Sequence, residues 1–101
     1  MKYEYITFRK QLPRGNWDVD PETPVRIFNS KKAAMDAFIS RHSKMQGLRW
    51  AGHYGTESVT NIRKGGDNKG TGQFEYFFDH TMIWGKERIR YREAIAPLVR
   101  K

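Results

Sequence analysis

Ser30-Lys31-Lys32-Ala33-Ala34-Met35-Asp36-Ala37-Phe38-Ile39 is the stretch that decides the fold, because it predicts the one main helix of the chain. The Ser30 hydroxyl can accept a hydrogen bond from the backbone N–H of residue 32 or 33, which favours a helix start. Ala34, Phe38 and Met45 then share one face of a helix over residues 31–45 that ends before Gly47. This apolar face predicts packing against a sheet.

Short β-rich segments precede the helix. Residues 3–10 alternate as a strand does, with Ile6 and Phe8 as the predicted core pair on one face. Turn residues at 12–16 and 20–24 separate two further short strands. Three strands are therefore predicted before residue 29.

The chain after the helix predicts more sheet and one further helix. Residues 48–64 favour an irregular or bulged strand, and the glycine-rich residues 65–72 a mobile hairpin tip. Residues 73–84 predict the most buried hairpin, with Asp79-His80 at its turn, and residues 93–99 a short C-terminal helix. The resulting fold class is α+β: one domain over residues 1–101, with an antiparallel sheet of about five or six strands packed against one main helix.

Composition limits the possible functions. The chain has 101 residues and carries 19 Lys and Arg against 11 Asp and Glu, a formal charge of +8 that attracts polyanions such as nucleic acid. Cysteine is absent, which excludes disulfides, thiolate metal sites and cysteine nucleophiles. No apolar run approaches the roughly 20 residues that span a bilayer, and the first residues are charged, so a cytoplasmic protein without membrane contact is expected.

The strongest functional pattern is a row of alternating cations. If residues 86–92 form a strand, Lys86, Arg88, Arg90 and Arg92 project from one face at intervals of about 6.6–6.8 Å, and the row can follow a phosphate backbone. If the segment is helical, the charges scatter around the axis. A strand whose charges are merely solvated is the alternative.

The glycine-rich segment supplies a second set of candidates. Arg63, Lys64 and Lys69 bracket it, and a basic loop can follow phosphates also through its backbone N–H groups. It lacks the ordered Gly-x-x-x-x-Gly-Lys-Ser/Thr pattern of a nucleotide-binding loop. A plain connection is the alternative to a binding role.

Two aromatic residues extend the nucleic-acid hypothesis. Tyr3, Tyr5 and Arg9 share the strand face opposite Ile6 and Phe8. If that face is uncovered, the rings could stack on unpaired bases. If another segment covers it, they belong to the core.

The three histidines, His42, His53 and His80, have no spacing typical of a metal site, and no cofactor motif is present. A metal-independent ribonuclease needs a general base, a general acid and a cation. His53 or His80, with Glu75 or Glu57 and an arginine, could supply these if the fold brings them together. The sequence assigns no catalytic residue.

Two local resemblances bear on function. Residues 28–34, an aromatic strand end followed by a capped Ala-rich helix, resemble the end of the β-β-β-α modules of integrase arm-binding and plant AP2-type domains, which implies DNA binding. Gly85-Lys86-Glu87-Arg88, with Tyr91, Ala94 and Ile95 after it, is similar to the C-terminal part of RelE-type messenger RNA interferases, which implies RNA cleavage. The first covers under half the chain, and the second departs from that family because this chain begins with strands; neither assigns a family.

The leading hypothesis from sequence is a small module that binds DNA or RNA mainly electrostatically and with weak sequence specificity. It rests on the row at 86–92, assisted by Arg63, Lys64 and Lys69. A protein-binding inhibitor or adaptor that docks on an acidic surface and a small metal-independent ribonuclease are the alternatives.

Overall fold

A computed structural model describes residues 1–47, 54–65, 67–68 and 72–98. This part of the chain contains one helix and nine strands. Seven strands form one antiparallel sheet, and the remaining two, β6 and β7, pair with each other. The elements are β1 (Tyr3–Leu12), β2 (Asp18–Val19), β3 (Arg26–Phe28), α1 (Lys31–Gly47), β4 (Tyr54–Val59), β5 (Arg63–Lys64), β6 (Asp67–Asn68), β7 (Gly72–Gln73), β8 (Tyr76–Trp84) and β9 (Glu87–Pro97).

The sheet is built around β9, in the order β2-β1-β9-β8-β4. On one side β9 pairs with the whole length of β1, from Leu12 opposite Arg88 to Tyr3 opposite Pro97. On the other side it pairs with β8. Both β2 and β3 pair with the free edge of β1, and β5 pairs with β8. The three strands expected before residue 29 are confirmed, and these short edge pieces raise the strand count above the expected five or six.

The predicted helix is confirmed, including its start. The Ala33 N–H donates a hydrogen bond to Ser30 Oγ at 3.1 Å, which caps the first turn. The helix continues to Gly47, two residues past the predicted end at 45. Its buried Phe38 packs against the rings of Tyr5 and Phe78, with ring centroids 5.9 and 5.3 Å away.

The register divides the sheet into two faces. The helix face carries Tyr5, Phe78 and Ile95, which form one core with α1. The outer face carries Phe8, Phe77 and Ala94, and Phe74 together with the partly buried Ile6 and Trp17 completes a second, smaller core there. The predicted Ile6–Phe8 pair therefore belongs to the second core, while the helix packs on the other side of β1.

The expected C-terminal helix is wrong. Residues 93–97 continue β9, and the Leu98 N–H donates to the Lys2 carbonyl at 2.8 Å. The alanines there favour a helix locally, but in the sheet residues 93–97 pair with β1, residues 93–95 also pair with β8, and Ile95 is buried. Pro97 ends the strand, where its missing N–H is tolerated.

The expected turn at Asp79-His80 is also wrong, because β8 runs through both residues. The turn lies at Gly85-Lys86, where Trp84 and Glu87 are the last paired residues. Gly85 has φ 64°, and a positive φ at the first central residue of a short hairpin turn favours glycine.

Within residues 48–64, the described strand β4 is bulged, as predicted. The β4–β8 register shifts between Thr56 and Ser58, which leaves Glu57 in a bulge. In the glycine-rich segment the described residues form the short β6–β7 ladder. Lys69 lies outside the described residues, so the prediction of a mobile tip at 65–72 stays a prediction.

Candidate nucleic-acid interface and the cleft beneath the helix

The predicted basic row lies on a strand. Arg88, Arg90 and Arg92 alternate along β9, and their register partners Ile83, Thr81 and Asp79 place them on the outer face. Lys86 precedes them in the exposed turn. The helical alternative for this segment therefore does not apply.

Lys10 joins this row from the neighbouring strand. It lies opposite Arg90 in the β1–β9 ladder, and its Nζ lies 5.2 Å from the centre of the Trp17 ring. Its alternation with Phe8 along β1 was the sequence signal for its face, but only the pairing of β1 with β9 places it beside Arg90. We call Lys10, Lys86, Arg88 and Arg90 the outer basic surface.

Arg92 has a different environment. Its Nε and Nη2 donate to the Asp79 carboxylate at 2.7 and 3.0 Å, and its guanidinium lies 4.5 Å from the ring centre of Trp17 and 4.8 Å from that of Phe77. Asp79 is buried. The charge of Arg92 is therefore balanced within the fold, and its side chain packs the second core.

Arg88 and Arg90 have weaker internal partners. Arg88 Nη2 and Nε donate to one oxygen of Glu57, at 2.7 and 3.0 Å, in an exposed pair. Arg90 Nε donates to Thr81 Oγ1 at 3.3 Å. An exposed ion pair contributes about 0–1 kcal/mol, so a phosphate can replace Glu57 at low cost.

The two remaining described cations of the prediction do not converge with this surface. Arg63 lies opposite Phe77 on the outer face, and Lys64 lies opposite Tyr76 on the helix face. Along β8, Phe77 is about 20 Å from the residue opposite Arg88, at roughly 3.3 Å per residue. Both side chains are exposed, but they form a separate site if they form one at all.

The proposed stacking of Tyr3 and Tyr5 on bases is wrong. Helix α1 covers their face, and both rings are buried. Their hydroxyls donate to carboxylates, Tyr3 to Glu75 and Tyr5 to Glu93. They belong to the core.

A cleft of about 720 Å³ lies between α1, the β2–β3 connection and the helix face of the sheet. Cations line it on α1 and β3, carboxylates on the β2–β3 connection, and the sheet forms its floor. The lining residues are Tyr5, Thr7, Asp20, Glu22, Thr23, Pro24, Arg26, Ala37, Ser40, Arg41, Lys44, His80, Met82, Tyr91 and Glu93.

Glu93 is the centre of a buried network at this floor. It is 3% exposed and accepts hydrogen bonds from His80 Nε2 at 2.8 Å, from Arg41 Nε at 3.1 Å and from the Tyr5 hydroxyl. Burial alone raises the pKa of Glu93, but the His80 and Tyr5 hydrogen bonds and the Arg41 charge outweigh it and hold the pKa below its ordinary value. Glu93 is therefore ionised at neutral pH.

The same network acts on Tyr5 and His80. Burial, followed by the Glu93 charge, raises the pKa of the Tyr5 hydroxyl, which stays protonated and donates. The His80 ring stacks on Tyr91 at 5.2 Å and 17°. His80 is 2% exposed, and its Nδ1 has no hydrogen-bond partner in the described part of the chain.

The structure changes the predicted histidine–carboxylate pairs. His80 contacts Glu93 and neither Glu75 nor Glu57, since Glu75 binds Lys31 and Tyr3 while Glu57 binds Arg88. His42 Nε2 makes a 2.8 Å hydrogen bond to the Thr60 carbonyl. His53 lies outside the described residues. Glu93 was missed because its segment was interpreted as a helix.

Within residues 1–47, 54–65, 67–68 and 72–98, no group of three or more metal-ligating side chains lies close enough to hold an ion. The helix found in that part of the chain is not long and apolar enough to cross a membrane. No protein-family model, curated protein or solved structure matches this chain.

Proposed function

We propose that the protein binds nucleic acid through the outer basic surface. The observation that carries this proposal is the register of Lys10 opposite Arg90 beside Arg88, on the outer face of the sheet. Neighbouring strands are about 4.8 Å apart and same-face residues about 6.8 Å apart, so the three cations form a compact cluster. Lys86 extends the cluster to the turn.

Electrostatics supports a polyanion as the ligand. Neutralising several phosphates at once releases condensed counterions, which makes affinity depend on cation number and salt. Breaking the exposed Arg88–Glu57 pair to form a phosphate contact costs little free energy. Phosphate contacts carry no base information, so the binding has weak sequence specificity.

The test removes two cations from the surface. Replacing Arg88 and Arg90 with Ala weakens binding of an oligonucleotide and flattens the slope of log K against log salt by roughly two units. The control, Lys2→Ala with Lys32→Ala, removes the same charge from exposed positions elsewhere. Fluorescence anisotropy over a salt series measures both variants.

Equal losses in the two variants would mean that net charge alone drives binding. An unchanged slope in the Arg88/Arg90 variant moves the interface away from the outer basic surface. Either result contradicts the proposal.

A metal-independent ribonuclease is the second candidate, favoured by the network at the cleft floor. His80 and Glu93 are groups that transfer protons, and Arg41 is a cation that can stabilise phosphorane charge. Both proton-transferring groups are buried, so cleavage requires the helix or the β2–β3 connection to move aside.

This candidate is tested by RNA cleavage in the presence of a chelator. Glu93→Gln removes the proton-accepting carboxylate and abolishes cleavage, while Lys44→Ala, a change of an exposed cleft residue, preserves it. Absence of cleavage by the unmodified protein, confirmed as folded by circular dichroism, rejects the candidate.

A further inference from the structure

We propose that the cleft beneath α1 binds a small organic carboxylate, held between Arg26 and Arg41 on the helix face of the sheet. This inference does not rest on the proposed function, because the outer basic surface lies on the opposite face. It also differs from RNA cleavage, since it concerns the reversible binding of a small molecule. At about 720 Å³ the cleft falls within the roughly 300–1,000 Å³ that is typical of small-molecule sites.

Arg26 holds its guanidinium over two aromatic rings. Register places it opposite Tyr5, and its Cζ lies 5.1 Å from the ring centre of Tyr5 and 5.0 Å from that of Phe28. Its N–H groups donate to no acceptor within the described part of the chain. A guanidinium that already rests on two rings loses little conformational freedom when it binds an anion.

Arg41 reaches the surroundings of Tyr5 from α1. Its Nε donates to Glu93 at 3.1 Å, while its two Nη groups have no partner among the described residues. Burial and then the Glu93 charge raise the pKa of the Tyr5 hydroxyl, and the charges of Arg41 and Arg26 act in the opposite direction. Both arginines are therefore within electrostatic range of one group at the floor of the cleft.

Two of the three carboxylates that line the cleft are occupied inside the fold. Glu93 accepts three hydrogen bonds from its network. Asp20 accepts from the Glu22 N–H at 3.1 Å and from the Thr23 hydroxyl at 2.6 Å. Glu22 is exposed. Since arginine only donates, a ligand that supplies acceptor oxygens satisfies the free N–H groups of the two arginines.

The balance of charge favours a monoanion. The described lining includes three cations and three carboxylates, so the cleft has no excess positive charge to hold a dianion. A phosphate monoester carries nearly two negative charges at neutral pH and is repelled by Glu93 and Asp20. A carboxylate carries one and binds a guanidinium through two parallel hydrogen bonds. Pro24, Ala37 and Met82 offer apolar surface to the rest of the ligand.

The experiment uses benzoate as the probe, benzamide as its uncharged match and phenyl phosphate as the dianion. Each is titrated at millimolar concentration into the ¹⁵N-labelled protein, whose amide spectrum also confirms that each variant is folded. Benzoate shifts the amide signals of Thr7 and Ser40 in the cleft, phenyl phosphate binds more weakly, and benzamide does not bind. Arg26→Gln weakens benzoate binding at least about 10-fold, the equivalent of one hydrogen bond to a charged group. The control Arg14→Gln, at an exposed arginine outside the cleft lining, leaves it unchanged.

Four outcomes would overturn the inference. Benzoate binding that is unchanged in Arg26→Gln, or equally weakened in Arg14→Gln, removes the role of Arg26. Equal binding of benzamide shows an apolar pocket without an anion site, and tighter binding of phenyl phosphate contradicts the carboxylate. Shifts confined to Lys10, Arg88 and Arg90 place the anion on the outer basic surface. None of these results changes the effect expected of the Arg88/Arg90 variant on oligonucleotide binding, so the two proposals fail separately.

Discussion

The two halves of β9 differ although they belong to one central strand. Both halves pair with β1 and with β8, except that Glu87 has no register partner on β1 and Ala96 has none on β8. Residues 87–92 are exposed or partly exposed and carry three arginines, while residues 93–96 are buried. Pairing alone therefore does not decide which part of a strand is available for binding.

Which half of β9 is exposed depends on the elements that pack over it. Helix α1 covers the helix face at Ile95, and Phe74 covers the outer face at Ala94. Arg92, packed between Trp17 and Phe77, is the boundary. Beyond it β9 has no such cover in the described structure, and the cations of the outer basic surface begin.

The largest expected effect is a loss of stability, and it comes from truncating Phe38, with which α1 packs over the buried half of β9. Phe38→Ala leaves a cavity between α1 and the buried half of β9, and it lowers the free energy of unfolding by about 3–5 kcal/mol. Urea denaturation measures the loss. The neighbouring Ile39 is 49% exposed, so Ile39→Ala changes stability by less than about 0.5 kcal/mol. Similar losses in both variants would show that this helix does not act as the cover.

The next largest effect is also on stability and comes from removing the charge of Glu93, the first residue of the buried half of β9. Glu93→Gln removes one partner of a buried ionic network and costs about 3 kcal/mol at neutral pH. The pKa of Glu93 is lowered in the fold from its ordinary 4.5, so the carboxylate stabilises the protein above about pH 4.5 and that stabilisation is lost as pH falls through the folded-state pKa. The acid limb, meaning the fall of the free energy of unfolding as pH decreases below about 4.5, is therefore less steep in the Glu93→Gln variant.

Glu75 has a lowered pKa of the same origin, through hydrogen bonds from Lys31 and Tyr3, and it leaves a residual acid dependence in the Glu93 variant. The control is Glu22→Gln, an exposed carboxylate of the same cleft, which keeps the full acid limb. Thermal unfolding between pH 3 and 7 distinguishes the two variants. Identical profiles for both would contradict the role given to Glu93.

A smaller loss of stability is expected from disturbing Phe74, which packs over the outer face of the sheet. The Gly65 N–H donates to the Glu75 carbonyl at 2.7 Å, and a Cβ at this position would overlap the backbone of Phe74. Gly65→Ala displaces Phe74 from the second core and costs about 1–3 kcal/mol. Gly47→Ala, at the open end of α1, is neutral or slightly stabilising in the same denaturation assay. A neutral Gly65→Ala would mean that Phe74 adjusts freely.

The smallest expected effect is on nucleic-acid affinity, and it tests the exposed half of β9 at Arg88. Glu57→Gln frees Arg88 from its ion pair and raises nucleic-acid affinity about 1.5- to 5-fold, the equivalent of an exposed pair. Glu87→Gln makes the same change of net charge on the helix face and raises affinity less. Equal gains in anisotropy titrations would attribute the effect to overall charge and not to Arg88.

The local parts of the fold were predictable from sequence, and the non-local parts were not. Ser30 and the alanines after it define a helix start within a few residues. Ala94 and Ile95 were assigned to a helix because nothing near them in sequence shows that β1, at the other end of the chain, pairs with them. Asp79 resembled a turn residue because its partner Arg92 is distant in sequence.

The candidate site divides in the same way. The alternation of Arg88 and Arg90 predicted their common face, because strand periodicity is local. It did not predict that Arg92 is balanced by Asp79, that Lys10 lies beside Arg90, or that Glu93 meets His80, since each depends on strand register. Register follows from the packing of the whole sheet.

The outer edge of β1 has a consequence for how copies of the protein meet. A long, flat edge strand offers unpaired N–H and C=O groups on which another chain can add, and it invites aggregation. Here that edge is occupied by two short pieces, Asp18–Val19 and Arg26–Phe28, and the chain between them contains Pro21 and Pro24. Although Val19 and Ile27 are exposed there, neither piece is long enough to template a strand of a second molecule. The interruption of this edge disfavours the addition of a further strand on this side of the sheet.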